Sequence, residues 1–280
     1  MTEVIIASSD FEEKKNKMIK EGADKFHVLA DFDRTLTMAF DDNGDKVPSV
    51  ISILRNWNYL SEEYSKEAQK LFDKYHKIEI DPKMSLEEKT KYMREWWKTH
   101  YDLLIRSGLK KEHLQKVLNS GKIVLRKGAE EFFDILHEKN IPLIIISSNG
   151  LGHIIDMFLE KIGKMYSNIH IITNDLIFNE EGNLIGVEEP IIHSLNKSET
   201  SITDKELLKK LNKRKNISLL GDGIGDLGMV RGFNYETLLK FGFLNYNIEE
   251  NLERYKENFD VVIIGDGDMS FINDLIKQLN

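Results

Sequence analysis

The stretch Phe26-His27-Val28-Leu29-Ala30-Asp31-Phe32-Asp33-Arg34-Thr35-Leu36-Thr37 decides how this chain is read. Val28 to Ala30 form a short apolar run, β-branched in part and closed by a polar turn, which predicts a buried strand. Alternate residues of an extended chain point the same way, so Asp31 and Asp33 can face one site. Two carboxylates leaving a buried strand lose solvation and repel each other, so they need a cation or a proton. Mg²⁺ meets that need, because it takes hard oxygen ligands and pairs them with phosphate. An isolated Asp-x-Asp is more often a capped turn. The rest of the chain decides between the two.

Upstream, residues 10–24 are charged with spaced apolar positions, Phe11, Met18 and Ile19, and read as an amphipathic helix leading into the strand. Downstream, Asp41-Asp42-Asn43-Gly44-Asp45 is a turn cluster. From Ser49 to about Asn119 the signals are all helical. Ser49 caps a segment with Ile51, Ile53, Leu54 and Trp57, and Ser61 opens another that runs towards Tyr75. Ser85 with Glu88 is a capping box before Tyr92, Met93, Trp96 and Trp97, and 110–119 is a short helix.

From Arg126 strands and helices alternate. The pattern predicts helices over 129–139, 154–162 and 204–211, and strands over 141–146, 169–172, 217–220 and 261–264. Residues 175–187 read as a β-hairpin around Glu180-Glu181-Gly182-Asn183. Near-continuous apolar strands separated by helices indicate a parallel sheet buried on both faces. The expected fold is α/β, a Rossmann-like parallel core with a helical cap inserted after the first strand. Residues 1–40 and 126–280 form the core in this reading, and 41–125 the cap.

In an open parallel sheet, ligands bind beyond the C-terminal ends of the strands. The first strand ends at Asp31 and Asp33. A second ends in Ser147-Ser148-Asn149-Gly150-Leu151-Gly152, which offers hydroxyls and backbone N–H groups to a phosphate, or simply caps the next helix. A third ends in Gly221-Asp222-Gly223-Ile224-Gly225-Asp226, where glycines turn the backbone and two more carboxylates arrive. Gly265-Asp266-Gly267-Asp268 also ends a strand. With no companion motif it reads as a turn without a part in the chemistry, and replacing Asp266 should do little.

The composition narrows the partners. Hydrophobic residues are 41% and charged residues 31% of 280, ordinary for a globular protein. A formal net charge of −8 argues against a nucleic-acid polymer or an anionic membrane as partner, so an anionic substrate needs local positive charge. No Cys is present, which excludes a disulfide scaffold and a Cys-based zinc site and suits a reducing compartment. Met1-Thr2-Glu3-Val4-Ile5-Ile6 does not read as a signal peptide, and no run approaches a membrane span. The expectation is a cytoplasmic monomer.

Asp-Phe-Asp-x-Thr-Leu-Thr, with the serine loop and Gly-Asp-x-x-x-Asp in that order, resembles the haloacid dehalogenase superfamily of phosphoryl-transfer enzymes. The resemblance implies that Asp31 is a nucleophile forming an aspartyl-phosphate and that Asp33 is the general acid/base. It implies Mg²⁺ held by Asp31, the Asp33 carbonyl and Asp222, with Asp226 supporting the metal shell. Ser147 or Ser148, with Lys197, would hold phosphate.

A closer likeness lies in Tyr75-His76-Lys77-Ile78-Glu79-Ile80-Asp81-Pro82, in Glu87-Glu88-Lys89 and Tyr92-Met93-x-Glu95-Trp96, in Ile192-His193-x-x-Asn196-Lys197 and in Gly242-Phe243-Leu244-Asn245. These resemble the cytosolic 5′-nucleotidase III family, the pyrimidine 5′-nucleotidases. The implied substrate is a nucleoside 5′-monophosphate, CMP or UMP favoured. Glu79 falls where that family's cap contacts the base, and His100 where a second cap residue, usually Ser, stands. The rival readings are a phosphatase of another small phosphomonoester such as phosphoserine, a phospho-accepting signalling domain, and a catalytically silent nucleotide-binding relative.

Overall fold

The computed structural model describes residues 2–81, 83–198 and 202–280, so Pro82 of the cap segment lies outside the described residues. The chain opens with a short strand, β1 (Val4–Ile6), and a helix, α1 (Phe11–Glu21), that buries Phe11 and Met18. β2 (Phe26–Ala30) is buried at all five residues. Its side chains divide between two cores: Val28 and Ala30 join the cluster on one face of the sheet, Leu29 the cluster on the other. That is what period-two alternation does to an apolar strand covered on both sides.

Four helices follow, α2 (Val50–Asn56), α3 (Glu62–Ile80), α4 (Leu86–Arg106) and α5 (Lys111–Leu118). Ser61 Oγ accepts the Tyr64 N–H at 3.0 Å, and Ser85 and Glu88 close the capping box. Ser49 makes no such bond; its hydroxyl lies 2.9 Å from that of Ser52. α3 runs past Tyr75 to Ile80, which puts Glu79 on its last turn. α3 and α4 pack side by side through the ring pairs Phe72–Trp96 and Tyr75–Trp96.

The α/β pattern then resumes: α6 (Ala129–Glu138), β3 (Leu143–Ile146), α7 (Ile154–Lys161), β4 (Ile169–Ile172) and the hairpin of β5 (Leu176–Phe178) and β6 (Leu184–Val187). After these come α8 (Lys205–Leu211), β7 (Asn216–Gly221), β8 (Thr237–Leu244), α9 (Ile248–Asn258), β9 (Val261–Ile264) and α10 (Ser270–Lys277). Seven strands form one sheet in the order β1-β9-β8-β7-β2-β3-β4. β1 runs antiparallel to β9 as an edge, and the other six are parallel. The helical insertion therefore follows β2, the first parallel strand. The strand order reverses between β2 and β7, whose register pairs Ala30 with Leu220. A crevice opens at that switch point, beyond the carboxyl ends of both strands.

One expectation is corrected here. The Gly265–Asp268 turn carries a buried ion pair and leads directly into α10. Asp266 Oδ1 lies 2.9 Å from Arg126 Nη1, with side chains 9% and 1% exposed. Asp266 also accepts the N–H groups of Ala39 and Phe40 at 2.9 and 3.0 Å. Arg126 donates to the carbonyls of Thr35 and Gly267, each at 2.7 Å, to the carbonyl of Arg34, and to Asn245 Oδ1 at 3.2 Å. The turn thus clamps the segment that leaves the Asp31–Asp33 loop. A buried charge stripped of its partner is costly, so Asp266 is not a dispensable turn residue.

Candidate active site

The three predicted strand ends meet in the crevice. Asp31 follows β2 directly, and its N–H reaches the Leu220 carbonyl of β7 at 3.0 Å. Lys197 comes from the loop after the hairpin, is 5% exposed, and donates to Asp31 Oδ1 and, at 2.9 Å, to Asp226 Oδ1. A lone buried lysine needs such partners. Burial opposes its charge, but Asp226 and Asp31 more than offset it and raise its pKa above the usual lysine value.

Asp31, Asp222 and Asp226 place carboxylate oxygens within 4.8 Å of one another. Burial drives Asp31 well above the ordinary carboxylate range against the pull of Lys197, and Asp226 and Asp222 push it further. Asp222 is pushed up to about 7, first by burial and then by Asp226. Asp226 Oδ2 accepts the Gly223 N–H at 3.0 Å, while the Asp222 carboxylate has no hydrogen-bond partner among the described residues. Crowded hard oxygens, one carboxylate of them unpartnered, fit a Mg²⁺ ion. Gly221 makes room for this: a Cβ there would come within 2.5 Å of Asp226 Cβ.

Asp33 turns away from the triad. Its Oδ1 accepts the Val50 N–H at 3.0 Å, at the first turn of α2, where a helix end favours an anion. Burial raises its pKa, with Arg34 and the Val50 N–H opposing. The serine loop distinguishes its two hydroxyls. Ser147 is 1% exposed and its Oγ already accepts the Asn149 N–H at 3.1 Å. Ser148 is half-buried and has no partner among the described residues. Gly150 lets the insertion approach, because a Cβ there would meet Trp97 at 2.6 Å.

The helical insertion roofs a cavity of about 1110 Å³ lined by Asp31, Asp33, Ser148, Lys197 and Asp222 below. Phe72, His76, Glu79, Trp96, Trp97 and His100 line it above. The rings stack in series: Phe72 on His76, Trp96 on Trp97, and Trp97 on His100, with centroids 4.8, 6.3 and 5.8 Å apart. Glu79 bridges insertion and core. Its Oε1 accepts the Ser194 hydroxyl at 2.5 Å and its Oε2 lies 3.1 Å from His76 Nδ1. Burial opposes its charge, yet the bonds from His76 and Ser194 hold its pKa below the usual glutamate value. His100 lies 3.0 Å from the Tyr64 hydroxyl, and burial lowers its pKa to about 4, so it is a neutral ring.

Sequence reasoning assigned nothing to Arg34, Arg126 or Ser194 and read Asp266 as a turn residue without a part in the chemistry, yet all four bear on this site. An arginine or serine alone reads as a surface residue, and the partners of Arg126 lie 91 to 141 residues away.

A mostly parallel sheet with its acidic cluster at the switch point and a helical roof defines the haloacid dehalogenase class of phosphatase-like folds. Solved phosphoserine phosphatases share that fold at TM-scores of 0.53 and 0.54 with 21% identity. The profile of the "Pyrimidine 5'-nucleotidase (UMPH-1)" family matches residues 34–280, so the chain belongs to that family and is a 5′-nucleotidase, a hydrolase. It is 37% identical to the human 7-methylguanosine phosphate-specific 5′-nucleotidase over 261 residues, 93% of this chain and 86% of that one. Xenopus laevis 7-methylguanosine phosphate-specific 5′-nucleotidase A is 34% identical over 267 residues, 95% and 91% of the two chains. The crystal structure of cytosolic 5′-nucleotidase IIIB bound to cytidine superposes with a TM-score of 0.88 at 30% identity, covering 98% and 93%. No helix among the described residues is long and apolar enough to cross a membrane.

Proposed function

We propose that the chain hydrolyses nucleoside 5′-monophosphates through an aspartyl-phosphate on Asp31. The observation that carries this is the meeting of Asp31, Lys197 and the second carboxylate pair under an aromatic-walled cavity. Residues 41–125 act as the cap and residues 1–40 and 126–280 as the core. The chain itself supplies every residue invoked, so a monomer suffices.

Asp31 attacks phosphorus, and the bond to the ribose 5′-oxygen breaks as Asp33 delivers a proton to that oxygen. Asp33 then takes a proton from water, which attacks the acyl-phosphate and returns orthophosphate and free Asp31. Lys197 neutralises phosphoryl oxygens and holds Asp31 in line. Ser148 is the better-placed phosphate donor, because its hydroxyl is uncommitted where that of Ser147 is engaged. A Mg²⁺ ion held by Asp31, the Asp33 carbonyl and Asp222, with Asp226 supporting, supplies charge for the phosphoryl oxygens when bound. The roof excludes water while Glu79 and the stacked rings, His100 among them, take the base.

CMP and UMP fit Glu79 as an acceptor for base N–H groups. A second reading rests on the roof itself. Stacked aromatic rings beside a half-buried ionised carboxylate favour a positively charged base, as in 7-methyl-GMP, and the relatives' names contain 7-methylguanosine phosphate. Phosphate release measured over CMP, UMP, GMP, 7-methyl-GMP and phosphoserine separates these readings. Asp31→Asn, which cannot form the acyl-phosphate, should be folded and inactive on all of them. Turnover by Asp31→Asn near the wild-type rate would end the mechanism.

A further inference from the structure

Arg34 directly follows the two carboxylates of the first motif. Its backbone sits at φ 62°, a left-handed conformation that costs an L side chain energy and persists only where the surroundings impose it. Two donors do so here. The Arg34 carbonyl accepts from Arg126 Nη2 and, at 3.0 Å, from Asn245 Nδ2. The fold therefore fixes the backbone from which this side chain starts.

The guanidinium lies over the Tyr246 ring, 5.8 Å from its centroid, and lines the same cavity as Asp31, Ser148 and Lys197. Its Nε is buried with no hydrogen-bond partner among the described residues. Asp222, Asp33 and Asp31 are the carboxylates whose charge it feels, yet it forms an ion pair with none of them among the described residues. A guanidinium offers five donors and no acceptor, so a side chain that lines a polar cavity and has an unpartnered donor calls for an anionic ligand. Its planar fork matches the oxygens of a phosphate. In a chain of net charge −8, a phosphate entering a site of four aspartates needs more than one cation.

We propose that Arg34 is a second phosphate-binding cation of the site, donating beside Lys197 to the substrate phosphoryl group and to product orthophosphate. This rests on the phosphomonoesterase reading above. The alternative role is charge balance, in which Arg34 merely offsets the carboxylates and touches no ligand.

Calorimetric titration of inorganic phosphate with Mg²⁺ present tests the proposal on the wild type, Arg34→Met, Arg34→Gly and Arg34→Lys. Glycine adopts φ 62° freely, so Arg34→Gly keeps the loop even where Met strains it. Removing a charged donor should raise the phosphate Kd about tenfold or more in the Met and Gly variants, and less in Lys. KM for the nucleotide should rise in parallel, with the Mg²⁺ concentration for half-activation unchanged. Phosphate affinity within about twofold of wild type in both Met and Gly overturns the proposal. So does a fall in phosphate affinity that vanishes at saturating Mg²⁺, which assigns Arg34 to charge balance. A wild-type protein that hydrolyses no phosphomonoester in the release screen overturns the underlying reading instead.

Discussion

Replacing Asp266 by Ala should cost this protein a large part of its stability. The side chain is 9% exposed and its partner, Arg126, 1% exposed, at 2.9 Å. Removing one member of a buried pair costs about 3–5 kcal/mol, because the other charge is left uncompensated. Arg126 keeps its bonds to the Thr35, Gly267 and Arg34 carbonyls, which favours the lower end. The Ala39 and Phe40 N–H groups also lose their acceptor, adding about 1 kcal/mol where water replaces it in part. The expected loss is roughly 3–5 kcal/mol, or on the order of 6–20 °C in Tm for a chain of this size. Urea unfolding followed by circular dichroism at neutral pH measures it. Asp266→Asn removes the charge and one of the two acceptor oxygens: the Ala39 and Phe40 N–H groups bond different oxygens, so the amide can accept only one of them and should also be destabilised. A change under about 1 kcal/mol for Asp266→Ala would refute the reasoning.

Three further outcomes follow from the site and the core. Asp222→Ala removes the unpartnered carboxylate of the triad and should raise the Mg²⁺ requirement or abolish turnover; a Mg²⁺ titration identical to wild type would count against the assignment. Glu79→Ala should lower kcat/KM for CMP by about ten- to a hundredfold while a base-free phosphate ester is hydrolysed nearly as before. Equal losses on both substrates would show that Glu79 supports the roof instead of reading the base. His27 is fully buried, neither ring nitrogen has a well-formed hydrogen bond among the described residues, and burial lowers its pKa to about 3, the Arg214 backbone opposing. The unfolded chain binds a proton near pH 6.5 and the folded one does not, so stability present above that pH is lost as pH falls from about 6.5 towards 3, by up to ~1.4 kcal/mol per pH unit. His27→Leu should flatten that slope, and an unchanged acid dependence would show that other groups set it.

The strands that carry chemistry were legible because they are apolar runs ending abruptly in Asp or Ser. β2, β3 and β7 all have that form, and their order sets the crevice. β8 was not legible: Lys240 and Gly242 interrupt its apolar pattern, although both positions lie within the sheet. β1 has only three residues and pairs with a strand more than 250 positions away, which no local pattern reveals. Asp31, Asp33 and Asp222 announced themselves by spacing, whereas Arg126 and Asp266 did not. Their meaning lies in a pairing across 140 residues; alone, Arg126 resembles a solvated charge and Asp266 a strand-end turn residue. Glu79 was placed on the cap by likeness to a family, but its bond to Ser194 could not be read from sequence. It joins a helix of the insertion to a loop of the core.

That bond has a consequence for how such an enzyme changes over generations. Whatever residue stands at position 79 also decides whether Ser194 is anchored, and Ser194 lies three positions from Lys197. A substitution that widens the range of accepted bases therefore also cuts this tie between insertion and core, while Lys197 keeps its own bonds to Asp31 and Asp226. Selection for a new base should draw a companion substitution between 192 and 197. A laboratory library that randomises 79 and 194 together can recover pairs that rejoin helix and loop, which a library at 79 alone cannot.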